Sequence, residues 1–272
     1  MRVEKTVKAL ALAACLAFSA RAELEFESSG GTYLQYYVTQ DNRYNPLPPG
    51  YRFAFSIDNL IYRTDAGHWF INASNSTLIS RSDSTAVKLD MIRYRIEPGF
   101  RLEGFRHEAD FLLSHECIHS IDKSRADGSI FWNSLRADFG SKGAFDHNLI
   151  SRVVERDFQM RNSIDWRLRG DVFFFGDWLY WVDQNHDYRA HAEGLIRYNL
   201  GLWRRSAVYA DVRTRGWATA EGGFQAQSVV QANWIFLSRK SVGVLFWEYT
   251  LLDQNRFENE NSLASLGFRI LY

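Results

Sequence analysis

The sequence has little cysteine, no excess of charge of either sign and, beyond its N-terminus, no long apolar run. Cys15 and Cys117 are the only cysteines among 272 residues. The 32 basic and 32 acidic residues give a formal net charge of zero, so the electrostatic attraction on which nucleic-acid binding depends is missing. No later segment reaches the about 18 apolar residues that suggest a membrane-spanning helix. The sequence therefore argues against a nucleic-acid-binding protein and against a helical membrane protein.

The N-terminal residues 1–22 have the pattern of a secretory signal peptide, with a basic start, an apolar run and small residues at a cleavage site after Ala22. A lipoprotein-type cleavage at Cys15 is the alternative. Cleavage after Ala22 leaves Cys117 as the single thiol, so that no internal disulfide can form. Because no linker or repeat divides the remainder, residues 23–272 are predicted to be one domain.

Most of the remaining chain alternates apolar and polar residues with the period of two that is typical of β-strands. Ile164, Trp166 and Leu168, for example, alternate with Asp165, Arg167 and Arg169. The alternation predicts twelve strands, at about 31–39, 51–64, 68–79, 91–104, 108–119, 129–139, 163–175, 189–203, 206–216, 224–237, 241–251 and 262–272.

Two all-β architectures use such strands: a secreted sandwich with its apolar faces inward, and a membrane barrel with its apolar face toward lipid. Aromatic residues make up 15% of the chain and cluster near predicted strand ends, which favours the interfacial girdles of a barrel. The segment SLGFRILY, 265–272, resembles the terminal-strand signal of bacterial outer-membrane barrels. That resemblance implies a location in the bacterial outer membrane, with outer-membrane lipids and the barrel assembly machinery as partners.

The connections are consistent with a transmembrane antiparallel up-and-down β-barrel of about 12 strands. Periplasmic turns of such barrels are short and extracellular loops are longer. With both ends of the barrel domain in the periplasm, the short turns 65–67, 105–108, 204–205 and 238–240 all fall on the periplasmic side. Residues 140–162 are the exception. They predict either a short helix or a further strand pair, which would make 14 strands.

The stretch HECIH, 115–119, has the letters of the zinc-protease motif HExxH. That motif requires a helix, on which residues four apart share a face and both histidines bind one metal. On a predicted strand, His115, Cys117 and His119 share one face and Glu116 lies on the other. A zinc protease is thereby excluded, and three ligands along one strand are poorly placed for a tetrahedral metal ion.

Within this stretch, HEC resembles the His-x-Ser of outer-membrane phospholipase A and the lipid A deacylases, with cysteine in place of serine. In those families the motif faces lipid, the histidine is the general base, the serine is the nucleophile, and an Asn or Glu orients the imidazole. The resemblance implies a lipid-acting acyl hydrolase with a His115–Cys117 dyad facing the outer leaflet. We expect no cofactor for this chain. The Asn-Gly that usually follows the serine is here Ile118-His119.

The predicted pairing of the fifth and sixth strands also identifies a residue to orient the imidazole of His115. If residue 119 pairs with 129, then Asn133 lies directly opposite His115. Asn133 is also the polar exception on its face, and an Asn–His–Cys set would have the roles of a hydrolytic triad. HECIHSID further resembles a His-x-Ser-Ser-His-x-x-Asp pattern of uncharacterised outer-membrane barrels, which adds His119 and Asp122 as binding residues. The alternative is that a bulge turns the histidines into the lumen.

The residues that are predicted to point into the barrel suggest a second class of function, because many of them are charged, with both signs present. Such charges can pair across strands and fill a twelve-stranded interior. The alternative to an enzyme is therefore a non-enzymatic structural barrel or a narrow solute-transport barrel. The inward charged residues are predicted to include Arg52, Asp58, Asp165, Arg167, Arg169, Asp171, His191, Glu193, Arg197, Asp211, Arg213, Arg215 and Arg269.

Overall fold

The computed structural model is one closed antiparallel barrel. It describes residues 23–38, 50–64, 67–81, 87–104, 106–120, 129–148, 163–178, 188–203, 206–237, 241–254 and 263–272. The strands are β1 Glu23–Val38, β2 Gly50–Thr64, β3 Gly67–Arg81, β4 Val87–Glu103, β5 His107–Ser120, β6 Ser129–Ser141, β7 Ser163–Trp178, β8 Tyr188–Trp203, β9 Ser206–Thr219, β10 Phe224–Leu237, β11 Val242–Asp253 and β12 Ala264–Leu271. No helix in these ranges is long and apolar enough to cross a bilayer.

All twelve predicted strands are present, and each pairs with its neighbours in the chain. The barrel closes where β1 meets β12, for example at Gly31 opposite Leu271. The alternative of 14 strands is wrong, because β6 and β7 pair directly with each other from Ile130 opposite Trp178 to Gly140 opposite Arg167. No space remains between these two strands for another pair.

The barrel has an apolar outside and a charged inside. Leu135, Ile164 and Val172 each expose more than 60% of their surface on the outer face. Asp171 and Arg197, in contrast, expose only 2% each inside the barrel. This inversion of the soluble pattern excludes the sandwich and is the arrangement of a membrane barrel, in which lipid covers the exterior.

The predicted charges line the interior and pair across strands. Arg101 binds Asp110 through Nε and Nη2, at 2.8 and 3.0 Å. Arg136 binds Asp171 at 2.6 Å and also binds Glu97. These bidentate and shared pairs compensate for the desolvation of buried charge and tie neighbouring strands together.

The segment after β6 enters the barrel at the end where β4 and β5 are joined, with Lys142 N donating to Arg106 O at 3.1 Å. We call residues 142–148 the plug segment. It begins with a 3₁₀-helix, Lys142–Ala144, in partial agreement with the short helix predicted within 140–162. Ala144 and Phe145 are buried, at 1% and 2% exposure. His147 Nε2 lies 2.6 Å from Glu108 Oε1 on β5. The interior is therefore narrowed at this end by the chain itself.

Asp146 of the plug segment lies between two arginines of the wall. Its Oδ1 is 3.3 Å from Arg197 Nη2 and its Oδ2 is 3.6 Å from Arg269 Nη1. Desolvation alone would raise the pKa of Asp146, but the positive charges of Arg197 and Arg269 outweigh it and lower the pKa to about 2. The carboxylate therefore stays ionised and holds the plug segment to the wall at neutral pH.

Candidate functional site

Strand β5 presents its polar residues to opposite sides of the barrel. His115 and His119 are exposed on the outer face, and Cys117 between them is partly buried. Glu116 points inward, where Arg95 donates to its Oε2 from Nη2 at 2.6 Å. The glutamate is therefore separated from both histidines by the barrel wall, which excludes the zinc-protease arrangement. The alternative in which the histidines turn into the lumen is also wrong.

Asn133 lies directly opposite His115 in the β5–β6 ladder, as the register predicts. His115 Nδ1 and Asn133 Oδ1 are 2.8 Å apart. Since an amide oxygen only accepts, the contact assigns the proton to Nδ1, which donates to Asn133 and leaves Nε2 as the basic nitrogen. Asn133 thus fixes both the tautomer and the orientation of the imidazole.

The sulfur of Cys117 contacts the other histidine. Its Sγ lies 2.9 Å from His119 Nε2, within hydrogen-bond distance of that ring. This contact was not among the sequence predictions, although the shared parity of residues 117 and 119 is the signal that points to it. His115 lies two residues away in the other direction, about 7 Å along the strand. The thiol is therefore flanked by two imidazoles on one face.

An apolar, aromatic surface surrounds the polar group. Tyr94 on β4 lies opposite Cys117 in the ladder, and its ring meets the His119 ring edge-on with the centroids 5.8 Å apart. Ile96, opposite His115, is 52% exposed on the outer face. Residues 115–119 lie in the second half of β5, which runs from His107 to Ser120. The group is thus near the end of the barrel opposite the short connection between β4 and β5.

Asp122 lies outside the described residues. The described residues contain no group of three or more His, Cys, Asp or Glu side chains arranged to hold a metal ion. The polar groups of the described site are a thiol, two imidazoles and an amide.

No protein-family model and no curated protein matches the chain. Among solved structures, it is similar to outer membrane phospholipase A from Escherichia coli, at 11% identity over 89% of each chain and a TM-score of 0.51. It is also similar to the phospholipase of Salmonella typhi crystallised as a dimer with bound calcium, at 9% identity, 92% and 91% coverage and a TM-score of 0.48. The NanC porin matches at 7% identity, 89% and 97% coverage and a TM-score of 0.48.

These similarities concern the fold alone. The fold similarity to the Escherichia coli protein, the closed ring of twelve strands and the apolar exterior together define the protein as a β-barrel of the bacterial outer membrane. The lipids of that membrane are the environment of its outer face.

Proposed function

We propose that the protein is an acyl hydrolase that acts on lipids of the outer leaflet, with Cys117 as its nucleophile. The observation that carries the proposal is the 2.8 Å contact of His115 with Asn133, beside a thiol on the lipid-facing side of β5. An oriented imidazole next to a nucleophile is the recurring arrangement of acyl-transfer sites. The position facing lipid selects the substrate class, which is a fatty-acyl ester of a membrane lipid.

The reaction would proceed through a thioester. The proposed first step is a rotation of the Cys117 side chain about χ1 from His119 to His115, followed by transfer of the thiol proton to His115 Nε2. The sulfur then attacks the acyl carbonyl carbon, and the lipid alkoxide leaves with the proton from His115. Water, deprotonated by the same imidazole, next attacks the thioester and releases the fatty acid with the thiol restored.

His119 supports this scheme as the resting partner of the thiol. The contact with Cys117 at 2.9 Å holds the sulfur on the outer face between reactions. Because Asn133 orients only His115, we assign the general base to His115 and a positioning role to His119. The resemblance of HEC to the His-x-Ser of lipid-acting barrel enzymes supports the same assignment, with cysteine at the position of serine.

The direct test is fatty-acid release by the purified, folded barrel in mixed micelles of detergent and phospholipid. We expect release that stops when the thiol is alkylated with iodoacetamide, since Cys117 is the only cysteine in the described residues. A folded protein that releases no fatty acid from phospholipid or from lipopolysaccharide would refute the hydrolase. Release that continues after complete alkylation would refute the thiol mechanism.

We also propose that β12 is the segment through which the barrel assembly machinery recognises the chain. Tyr272 exposes 49% of its surface, and its backbone N and O pair with Gly30 at 2.9 and 2.7 Å, where the barrel closes. Deleting Tyr272 removes both the aromatic ring and these two bonds. We expect a several-fold loss of heat-modifiable protein in the outer membrane, whereas Tyr272→Phe should assemble normally. Equal yields of both variants would contradict the proposal.

A further inference from the structure

The barrel interior contains a cavity of about 340 Å³ that is separate from the lipid-facing site. It lies between the wall formed by β1–β4 and the wall formed by β9–β12, and Asp146 of the plug segment contributes to its lining. A volume above about 300 Å³ is in the range of small-molecule sites. The cavity therefore has room for a solute of several heavy atoms together with water.

The lining of this cavity is strongly basic. It contains only two acidic residues, Asp146 and Glu248, among the described residues. Glu116 and Glu193 reach some of the arginines from the neighbouring part of the wall. Guanidinium groups still exceed carboxylates, so the cavity attracts anions. The arginines that line it are Arg52, Arg93, Arg95, Arg213, Arg215 and Arg269.

Two of these arginines are only loosely paired. Arg213 Nη2 is 3.6 Å from Glu248 Oε2, and the Nε of Arg213 is buried without a hydrogen-bond partner. Arg269 Nη1 is likewise 3.6 Å from Asp146 Oδ2. Arg215, which lines the same cavity, is by contrast tightly paired, with its Nε 2.6 Å from Glu193 Oε2. Arg213 and Arg269 therefore retain donor capacity that a carboxylate or phosphate would use fully.

Other contacts hold the Arg269 guanidinium and the Glu248 carboxylate in place. Arg269 donates from Nη2 to Gln231 Oε1 at 2.7 Å, and its guanidinium carbon lies 4.7 Å from the centre of the Phe246 ring. Glu248 and Gln231 are themselves joined, with Nε2 of Gln231 donating to Oε2 of Glu248 at 2.9 Å. An entering anion would thus meet donors that are already oriented.

We propose that this cavity is a binding site for a small organic anion bearing a carboxylate or phosphate group, held by Arg213 and Arg269. Asp146 is then a tethered carboxylate that competes with the ligand for Arg269, since it belongs to the chain and already lies beside that guanidinium. Binding of the external anion displaces Asp146 from Arg269 and loosens the plug segment. The ligand site and the periplasmic end of the barrel are coupled through this one side chain.

Calorimetric titration of the full, detergent-solubilised protein tests the site, with inorganic phosphate and succinate as probes. Sodium chloride at equal ionic strength is the reference. We expect saturable binding of one or both probes, weakened about tenfold or more in Arg213→Gln, which corresponds to the loss of one ion pair of about 1.4 kcal/mol. Asp146→Asn should bind several-fold more tightly. Arg189→Gln, which removes an exposed arginine of β8 outside the cavity, should bind like the unaltered protein.

Folding of each variant is checked by its shift on unheated gels. If Arg213→Gln does not fold, Glu248→Gln takes its place. Removing the carboxylate beside Arg213 should tighten binding of the probe anion. Absence of saturable binding for both probes overturns the proposal, as does equal affinity in Arg213→Gln and Arg189→Gln. Unchanged affinity in Asp146→Asn overturns the competition by the plug segment.

Discussion

Replacing Cys117 with alanine is expected to reduce fatty-acid release by at least about 10³-fold, since the group that forms the acyl intermediate is lost. His115→Ala should lose about 10²–10⁴-fold, the usual contribution of a general base. Asn133→Ala should have a milder effect, because it removes only the group that orients His115. The measurement is fatty-acid release in mixed micelles under saturating and limiting lipid.

The variant His119→Ala distinguishes the roles of His115 and His119. If His115 is the base, His119→Ala keeps most of the turnover and weakens only the resting contact of the thiol. Cys117→Ser should retain part of the activity, since a hydroxyl can take the place of the thiol. The side chains replaced in these variants lie on the outer face, and the backbone hydrogen bonds between the strands do not depend on them. Each variant should therefore fold and shift on unheated gels like the unaltered protein. A folded Cys117→Ala variant with full activity would rule out the thiol as nucleophile.

Replacing Arg197 with alanine is expected to lower the free energy of unfolding by about 3–5 kcal/mol, because a buried carboxylate loses its partner. Arg197 exposes only 2% of its surface and binds Asp211 through Nε and Nη2 at 2.9 and 3.0 Å. Its Nη1 also donates to the carbonyl oxygen of Gly143 in the plug segment, at 2.9 Å. Urea unfolding in detergent micelles measures the loss.

The matched control removes both charges together. In the double variant Arg197→Met, Asp211→Leu no unpaired carboxylate remains, and most of the lost stability should return. The bond to Gly143 stays broken in the double variant, so an added protease should cut the plug segment faster than in the unaltered protein. If the single and double variants were equally unstable, the ion pair would not be the cause.

Much of the barrel could be predicted from the sequence because its main signal is local. The alternation of apolar and polar residues determines which side chains face lipid. A register slip by one residue would move every side chain of a strand to the opposite face of the barrel wall. The short turn positions then place the strands relative to each other. The pairing of His115 with Asn133 could be predicted for the same reason, since it depends only on the length of one connection.

The remaining features depend on contacts that no periodic pattern describes. Residues 142–148 show no alternation, so neither their entry into the barrel nor the pairing of Asp146 with Arg197 and Arg269 could be read from the sequence. The preference of Cys117 for His119 over His115 is a choice between side-chain rotamers, which parity leaves open.

The pairing of β1 with β12 has a consequence for how the chain reaches its folded state. Gly31 and Leu271 meet although almost the whole barrel domain separates them. The contacts between β1 and β12 have the highest sequence separations among the described strand pairs. Closing so long a loop has a large entropic cost, so these contacts form slowly. Until it forms, two strand edges remain open to pairing with other chains. An escort that covers these edges during export would therefore protect the polypeptide through its slowest and most aggregation-prone interval.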